Sequence, residues 1–274
     1  MTSWKALIAS GVVTAAMLVA AGASAADGRQ IALNYEVKIG GVHGVRADTV
    51  LRIAGDRFVA EAEIGKEGLL DKLSKTYRAM HVSRGRLMDG RIAPDGSEAK
   101  IVSGDEARAV RASYTSDGTV EIAENPRPDI KPGREVGVTH RRGAWDPLMA
   151  ALMTVLGRND PCAGTVPIYD GRTRFDLVPK RIGTESFASE DFKIRGESVV
   201  CEVRLRKIAG YKPNTDPDED FDKPAKIWLG ALDESGRLYP LRVEIDTNFG
   251  TVAGQLRKFS SRPLTREEEL ALVK

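Results

Sequence analysis

Apolar residues alternate with polar ones over most of this chain, the pattern of a β-strand with one buried face. Ile31, Leu33, Tyr35, Val37 and Ile39 set it first. Pairs such as Gly40-Gly41 and Gly55-Asp56 punctuate it where a hairpin must turn. The alternation predicts strands at 30–39, 45–54, 58–62, 76–82, 86–92, 107–114 and 119–122. It predicts others at 165–170, 172–182, 192–196, 199–208, 225–233, 237–246 and 251–259. So many half-buried segments must share one apolar face. They point to a mainly β fold: a single long antiparallel sheet of about a dozen strands, strongly curved into a half-barrel or β-spiral.

One stretch breaks the alternation. Between Gly143 and Gly157, Leu148, Leu152, Val155 and Leu156 recur at helical spacing. Asp146 stands where a carboxylate can accept hydrogen bonds from first-turn amides, and Pro147 suits the first helical position. Gly157 can end the helix in a left-handed conformation. A lone apolar helix between two β-rich halves is expected to plug the concave side of the curved sheet. A short helical piece is expected at Leu69–Leu73, and Thr265-Arg266-Glu267-Glu268 matches a capping box opening a C-terminal helix to about Val273. The proline-rich stretch Asn125–Gly133 reads as an extended loop within one fold.

The chain opens with a single positive charge at Lys5, an apolar run from Ala6 to Ala21, and the small residues Ala23-Ser24-Ala25. This predicts a secretory signal peptide at 1–25 cleaved before Ala26, rather than an uncleaved membrane anchor. A single exported β-rich domain, 26–274, would remain and be soluble in the periplasm. Without Lys5, 41 − 1 = 40 basic side chains face 39 acidic ones. Such balance argues against nucleic acid as a partner. The only two cysteines, Cys162 and Cys201, lie in the exported part and are expected to form one disulfide.

Trp145-Asp146-Pro147-Leu148, an apolar-rich stretch, and then Val166-Pro-Ile-Tyr-Asp170-Gly171-Arg172 resemble the signature of the DUF3108 family of exported bacterial proteins. Ser83–Arg86 and Ile208–Pro213 fit the same resemblance, which runs from about Leu33 to Phe259. Met149 and Ala150 stand where a small polar residue and Ala are more usual. The resemblance implies a cell-envelope protein of unassigned activity, built as a bent antiparallel sheet similar in outline to the half-barrels of periplasmic lipoprotein carriers. It carries over no catalytic residues. The roles it implies for Trp145, Asp146, Pro147, Leu148, Asp170, Gly171 and Arg172 are structural.

Other candidate sites read more simply as structure. Asp216, Asp218, Asp220 and Asp222 alternate, but an EF-hand frame would place Phe221 and Ile227 where Gly and Glu are required, so they read as a solvated acidic loop. Asp170-Gly171-Arg172 could hold an anion but more simply makes a hairpin turn, with Arg172 and Arg174 on a polar face of the next strand. His43, His81 and His140 are scattered without metal-ligand spacing, and no Gly-x-Ser-x-Gly elbow is present. No metal, cofactor or catalytic residue is expected, and the chain is read as a non-enzyme. With 6% aromatic residues and many Ala and Val, the interior has modest filling power, which favours a groove. The expected function is support of cell-envelope integrity, by binding a lipid or other apolar ligand in the concavity. The alternative is a periplasmic scaffold with a filled core that recognises another envelope protein.

Overall fold

The computed structural model describes residues 28–67, 76–88, 91–156, 160–189, 194–211, 223–247 and 250–273. The expected signal peptide 1–25, the helical piece Leu69–Leu73, the stop at Gly157 and the acidic loop Asp216–Asp222 lie outside these residues.

Seven strands come first: β1 (Arg29–Ile39), β2 (Val42–Ala54), β3 (Arg57–Lys66), β4 (Tyr77–Met88), β5 (Arg91–Ser103), β6 (Glu106–Tyr114) and β7 (Val120–Asn125). Two helices follow, α1 (Val138–Arg141) and α2 (Pro147–Leu156). The second half holds β8 (Val166–Tyr169), β9 (Arg174–Ser189), β10 (Ile194–Ala209), β11 (Ala225–Ala231), β12 (Leu238–Thr247), β13 (Gly250–Pro263) and the C-terminal α3 (Arg266–Val273). The 13 strands among the described residues join one sheet in the order β7-β6-β5-β4-β3-β2-β1-β13-β12-β11-β10-β9-β8. Each half is thus a meander, and the first and last strands pair in the middle, Ile31 opposite Ser261 and Val37 opposite Gly254.

The two edges of the sheet, β7 and β8, are bridged by the segment entering α2. Arg142 pairs with Thr119, and the Gly143 amide donates to Gly118 O at 2.8 Å. Two residues on, the Trp145 amide donates to Pro167 O at 2.8 Å and Trp145 O accepts from the Tyr169 amide at 2.9 Å. The curved sheet is therefore nearly closed, and irregular chain satisfies edge groups that would otherwise be open.

Several strands run longer than expected, β9 to Ser189 rather than 182 among them, and two assignments differ in kind. The segment read as a strand at 86–92 spans a hairpin, and β5 continues to Ser103 through Pro94 and Gly96, which interrupt the alternation. The register shifts there, Gly85 facing Pro94 and Arg84 facing Gly96. A bulge accommodates a residue with no amide hydrogen in mid-strand. Of the pieces read at 192–196 and 199–208, the described residues from Ile194 on belong to the single strand β10. Ser198 sits buried within it because its hydroxyl donates to Glu185 O at 2.9 Å.

The main core joins Ile31, Leu51, Ile53, Phe58, Tyr239, Leu241 and Leu256 from the sheet to Met149 and Leu152 from α2. On its other side α2 sets Ala150 against Val166 and Ile168 of β8. The helix plugs the concavity as expected, but Met149, at 0% exposure, is buried more completely than the residues read as its apolar face. Gly85 makes room for Phe58: a Cβ there would lie 2.8 Å from the Phe58 ring and 2.7 Å from Ala93 O. Gly85→Ala is therefore expected to cost about 2 kcal/mol, since a backbone oxygen cannot step aside. Gly137→Ala, whose Cβ would meet only Thr139 Oγ1 at 3.9 Å, is the control and should stay within about 0.5 kcal/mol. Urea denaturation of both variants checks this.

At the C-terminus the capping box forms. The Thr265 amide donates to Glu268 Oε2 at 2.8 Å and the Glu268 amide to Thr265 Oγ1 at 3.3 Å. Glu269 Oε1 accepts from the Gly28 amide at 2.8 Å, tying α3 to the start of β1.

Candidate functional site

Register across β4 to β7 places small side chains on the concave face in rows. One row runs Ser83, Ser97, Ala112, Ile122; the next runs His81, Ala99, Val110, Glu124; beyond it stand Ala79, Ile101 and Arg108. Alternation makes these residues share a face, and three of the four strands contribute alanine to it. Side chains this short cannot fill the concavity. A cavity of about 410 Å³ is left, lined by His81, Ala99, Arg108, Val110, Ala112 and Arg172 among others, and roofed by Asp146, Pro147 and Leu148 at the start of α2.

The roof is held by Asp146, which is 3% exposed. Its Oδ1 accepts from the amides of Leu148 at 3.1 Å and Met149 at 3.2 Å, the capping role expected from sequence. Its Oδ2 accepts from the Tyr114 hydroxyl at 2.7 Å, and that hydroxyl accepts in turn from the Asp146 amide at 3.0 Å. Burial, reinforced by the charge of Asp146, raises the Tyr114 phenol above its ordinary range. The phenol therefore stays a donor to the carboxylate. Helix start and β6 are locked together through one charged group.

At the rim, Glu124 receives two arginines. Its Oε1 accepts from Arg108 Nη1 at 3.1 Å and from Arg172 Nη2 at 2.7 Å, and its Oε2 accepts from Arg172 Nε at 3.4 Å. Burial works to raise the Glu124 carboxyl, but the hydrogen bonds from Arg172 and Arg108 outweigh it and hold it below the usual range. Burial lowers the His81 imidazole; the charge of Asp146 opposes this and that of Arg108 adds to it. His81 is thus neutral at neutral pH.

Asp170, Gly171 and Arg172 form the turn between β8 and β9. Asp170 Oδ1 accepts from the amides of Arg172 at 2.8 Å and Thr173 at 2.6 Å, and Oδ2 from the Thr173 hydroxyl at 2.9 Å. Gly171 has φ 97°, and a Cβ there would press to 2.9 Å from Ile122. The expected polar face of Arg172 and Arg174 does not form. Arg172 lies in the turn and reaches Glu124 across the seam, while Arg174 is buried, donating to Asp176 Oδ1 at 2.7 Å and to His140 O at 2.9 Å.

Asp146, Pro147 and Leu148 thus meet Asp170 and Arg172 around one cavity, while Trp145 packs instead with Ala150, Val166 and Ile168, and Gly171 shapes the turn. His81 joins them. His43 stands on β2 and His140 in α1, and the described residues hold no group of three or more His, Cys, Asp or Glu placed to bind a metal ion. Sequence reasoning missed Arg108 and Glu124 altogether: each alone is one charged residue in an alternating strand, and only register joins them. A larger groove, about 500 Å³, runs over the opposite face past Arg46, Asp48, Glu63 and Arg78. Its charges pair with each other, Arg46 with Asp48 and Arg78 with Glu63, on half-exposed side chains. That is the pattern of a solvated surface.

Cys162 and Cys201 form the expected disulfide, with Cα atoms 5.4 Å apart. It pins the chain after α2 to β10, in a cluster with Val203 and Leu229. No helix among the described residues is long and apolar enough to cross a membrane.

A family model, described as a protein of unknown function (DUF3108), matches residues 34–257. No curated protein matches the chain. Among solved structures, it is similar to a β-barrel-like protein of the domain of unknown function DUF1849 from Brucella abortus, at 8% identity and a TM-score of 0.45, covering 85% of this chain and 98% of that one. It is also similar to the hypothetical protein CT021 from Chlamydia trachomatis, at 10% identity and a TM-score of 0.31, covering 85% and 89% of the two chains.

Proposed function

This chain belongs to the DUF3108 family, and on that premise we propose that it is a non-enzymatic periplasmic protein that supports the cell envelope by holding an apolar or amphiphilic ligand. The ligand lies in the cavity over β4–β7, beneath the start of α2. The observation that carries this reading is the cavity itself. Its volume of about 410 Å³ is within the range of small-molecule sites, and its walls combine an apolar strip of Ala99, Ile101, Val110, Ala112, Ile122 and Leu148 with convergent charged and polar groups. The disulfide agrees with an oxidising compartment, and the expected signal peptide would deliver the chain there.

Native mass spectrometry of the exported protein, before and after organic extraction, tests the proposal. A stoichiometric adduct that extraction removes is the expected result and names the ligand class. An unliganded mass that stays unchanged after incubation with envelope lipids would overturn it. The scaffold reading would then stand, to be pursued by cross-linking to other envelope proteins.

A further inference from the structure

Resting on the cavity as a ligand site, we infer that it selects amphiphiles whose head is one anionic group, a carboxylate or a phosphate, received by Arg108 with Arg172 beside it. The argument is an inventory of donors and acceptors. Asp146, Asp170 and Glu124 each already accept three hydrogen bonds from the protein. Donors, by contrast, are in surplus. Among the described residues, the Arg108 guanidinium makes a single hydrogen bond and that of Arg172 makes two, of the five N–H groups each carries. Their side chains are 42% and 50% exposed, at the rim where a head arriving from water would meet them. With one carboxylate between two guanidiniums, the trio at the rim keeps one net positive charge. Asp146 and Asp170 also line the cavity, but their oxygens are spent on the protein's own donors, so free hydrogen-bonding capacity there belongs to the arginines.

The inner wall has the opposite character. From Arg108 to Ala112 the strand runs about 13 Å inward, at roughly 3.3 Å per residue. Along that path the concave face offers Val110, Ala112, Ala99 and Ile122, with Leu148 above. The polar groups along that wall are the neutral His81 and the Ser97 hydroxyl, and the roof carboxylate of Asp146 is already engaged by Tyr114 and the first-turn amides of α2. Charge at the rim and methyl groups below fit a head-and-tail molecule oriented one way. A free inorganic anion would leave the wall dry and empty. A cationic head would meet two guanidiniums.

The test titrates the delipidated exported protein with four ten-carbon probes, decanoate, decyl phosphate, decanol and decyltrimethylammonium, by isothermal calorimetry below their micelle concentrations. The inference expects the better anionic probe to bind roughly tenfold more tightly than decanol, as for a charge-assisted hydrogen bond over a neutral one, and the ammonium probe more weakly than either. Arg108→Gln should collapse that preference to about one, and Arg172→Gln should reduce it in the same direction. The order of decanoate and decyl phosphate then distinguishes an acyl chain's own carboxylate from a phosphate head. Equal binding of decanol and both anions, or a preference that survives both substitutions in folded protein, overturns the head-group inference while leaving the cavity reading intact. Failure of all four probes to bind overturns both.

Discussion

Replacing Cys162 and Cys201 together by alanine should lower the melting temperature of the protein by roughly 10 °C. The bridge closes a loop of 39 residues. Releasing it restores loop freedom to the unfolded chain worth about 4 kcal/mol, and a domain of this size loses roughly 2–4 °C per kcal/mol. Alanine is the better replacement. Cys201 is 1% exposed among Val203 and Leu229, and a serine there would bury a hydroxyl in apolar surroundings. Reductant added to the native protein should reproduce the shift. Thermal unfolding by circular dichroism, with and without reductant, reads both. Melts that coincide for wild type and variant would show that the staple contributes nothing, and that the contacts of the 160–165 segment hold without it.

Asp146→Ala is expected to cost about 3 kcal/mol: roughly 1 for the lost helix cap and about 2 for leaving the buried Tyr114 hydroxyl without its acceptor. Both losses follow from one carboxylate accepting three hydrogen bonds in a nearly dry site. Asp146→Asn separates shape from charge. An amide oxygen still caps well, so this variant should lose less than half as much, about 1 kcal/mol. Tyr114→Phe, which removes the other partner, should fall between them. Denaturant unfolding with unchanged slope measures all three. If Asp146→Ala were as stable as wild type, the link between α2 and β6 would be decorative, and the roof of the cavity would need another support.

Much of this architecture is legible locally because local physics decides it. The alternation of Ile31, Leu33 and Tyr35 is what a strand with one wet face requires, whatever it pairs with. The capping residues Asp146 and Thr265 carry their own hydrogen-bonding logic within four residues. Asp170-Gly171 announces a turn because glycine reaches positive φ without strain. The strand through Pro94 and Gly96 was hidden for the same reason in reverse. Those residues break strands in isolation, and only a bulge against Arg84 and Gly85 admits them.

The cavity belongs to a different level. Ala99, Val110 and Ala112 are ordinary strand residues until pairing aligns them beside His81 and beneath Leu148. Arg108 and Glu124 lie 16 residues apart, and Glu124 and Arg172 lie 48 apart. No periodicity connects them.

The sequence by itself determined a chain of amphipathic strands, one apolar helix with its cap, and a single pair of cysteines. Periodicity and side-chain chemistry act over a few residues and need no partner. Only the tertiary structure decided that the first and last strands pair, that the edges meet across Arg142–Trp145, and that short side chains gather on one wall. Those outcomes depend on register and curvature, where a shift of one residue would turn every alanine of that wall to the other face.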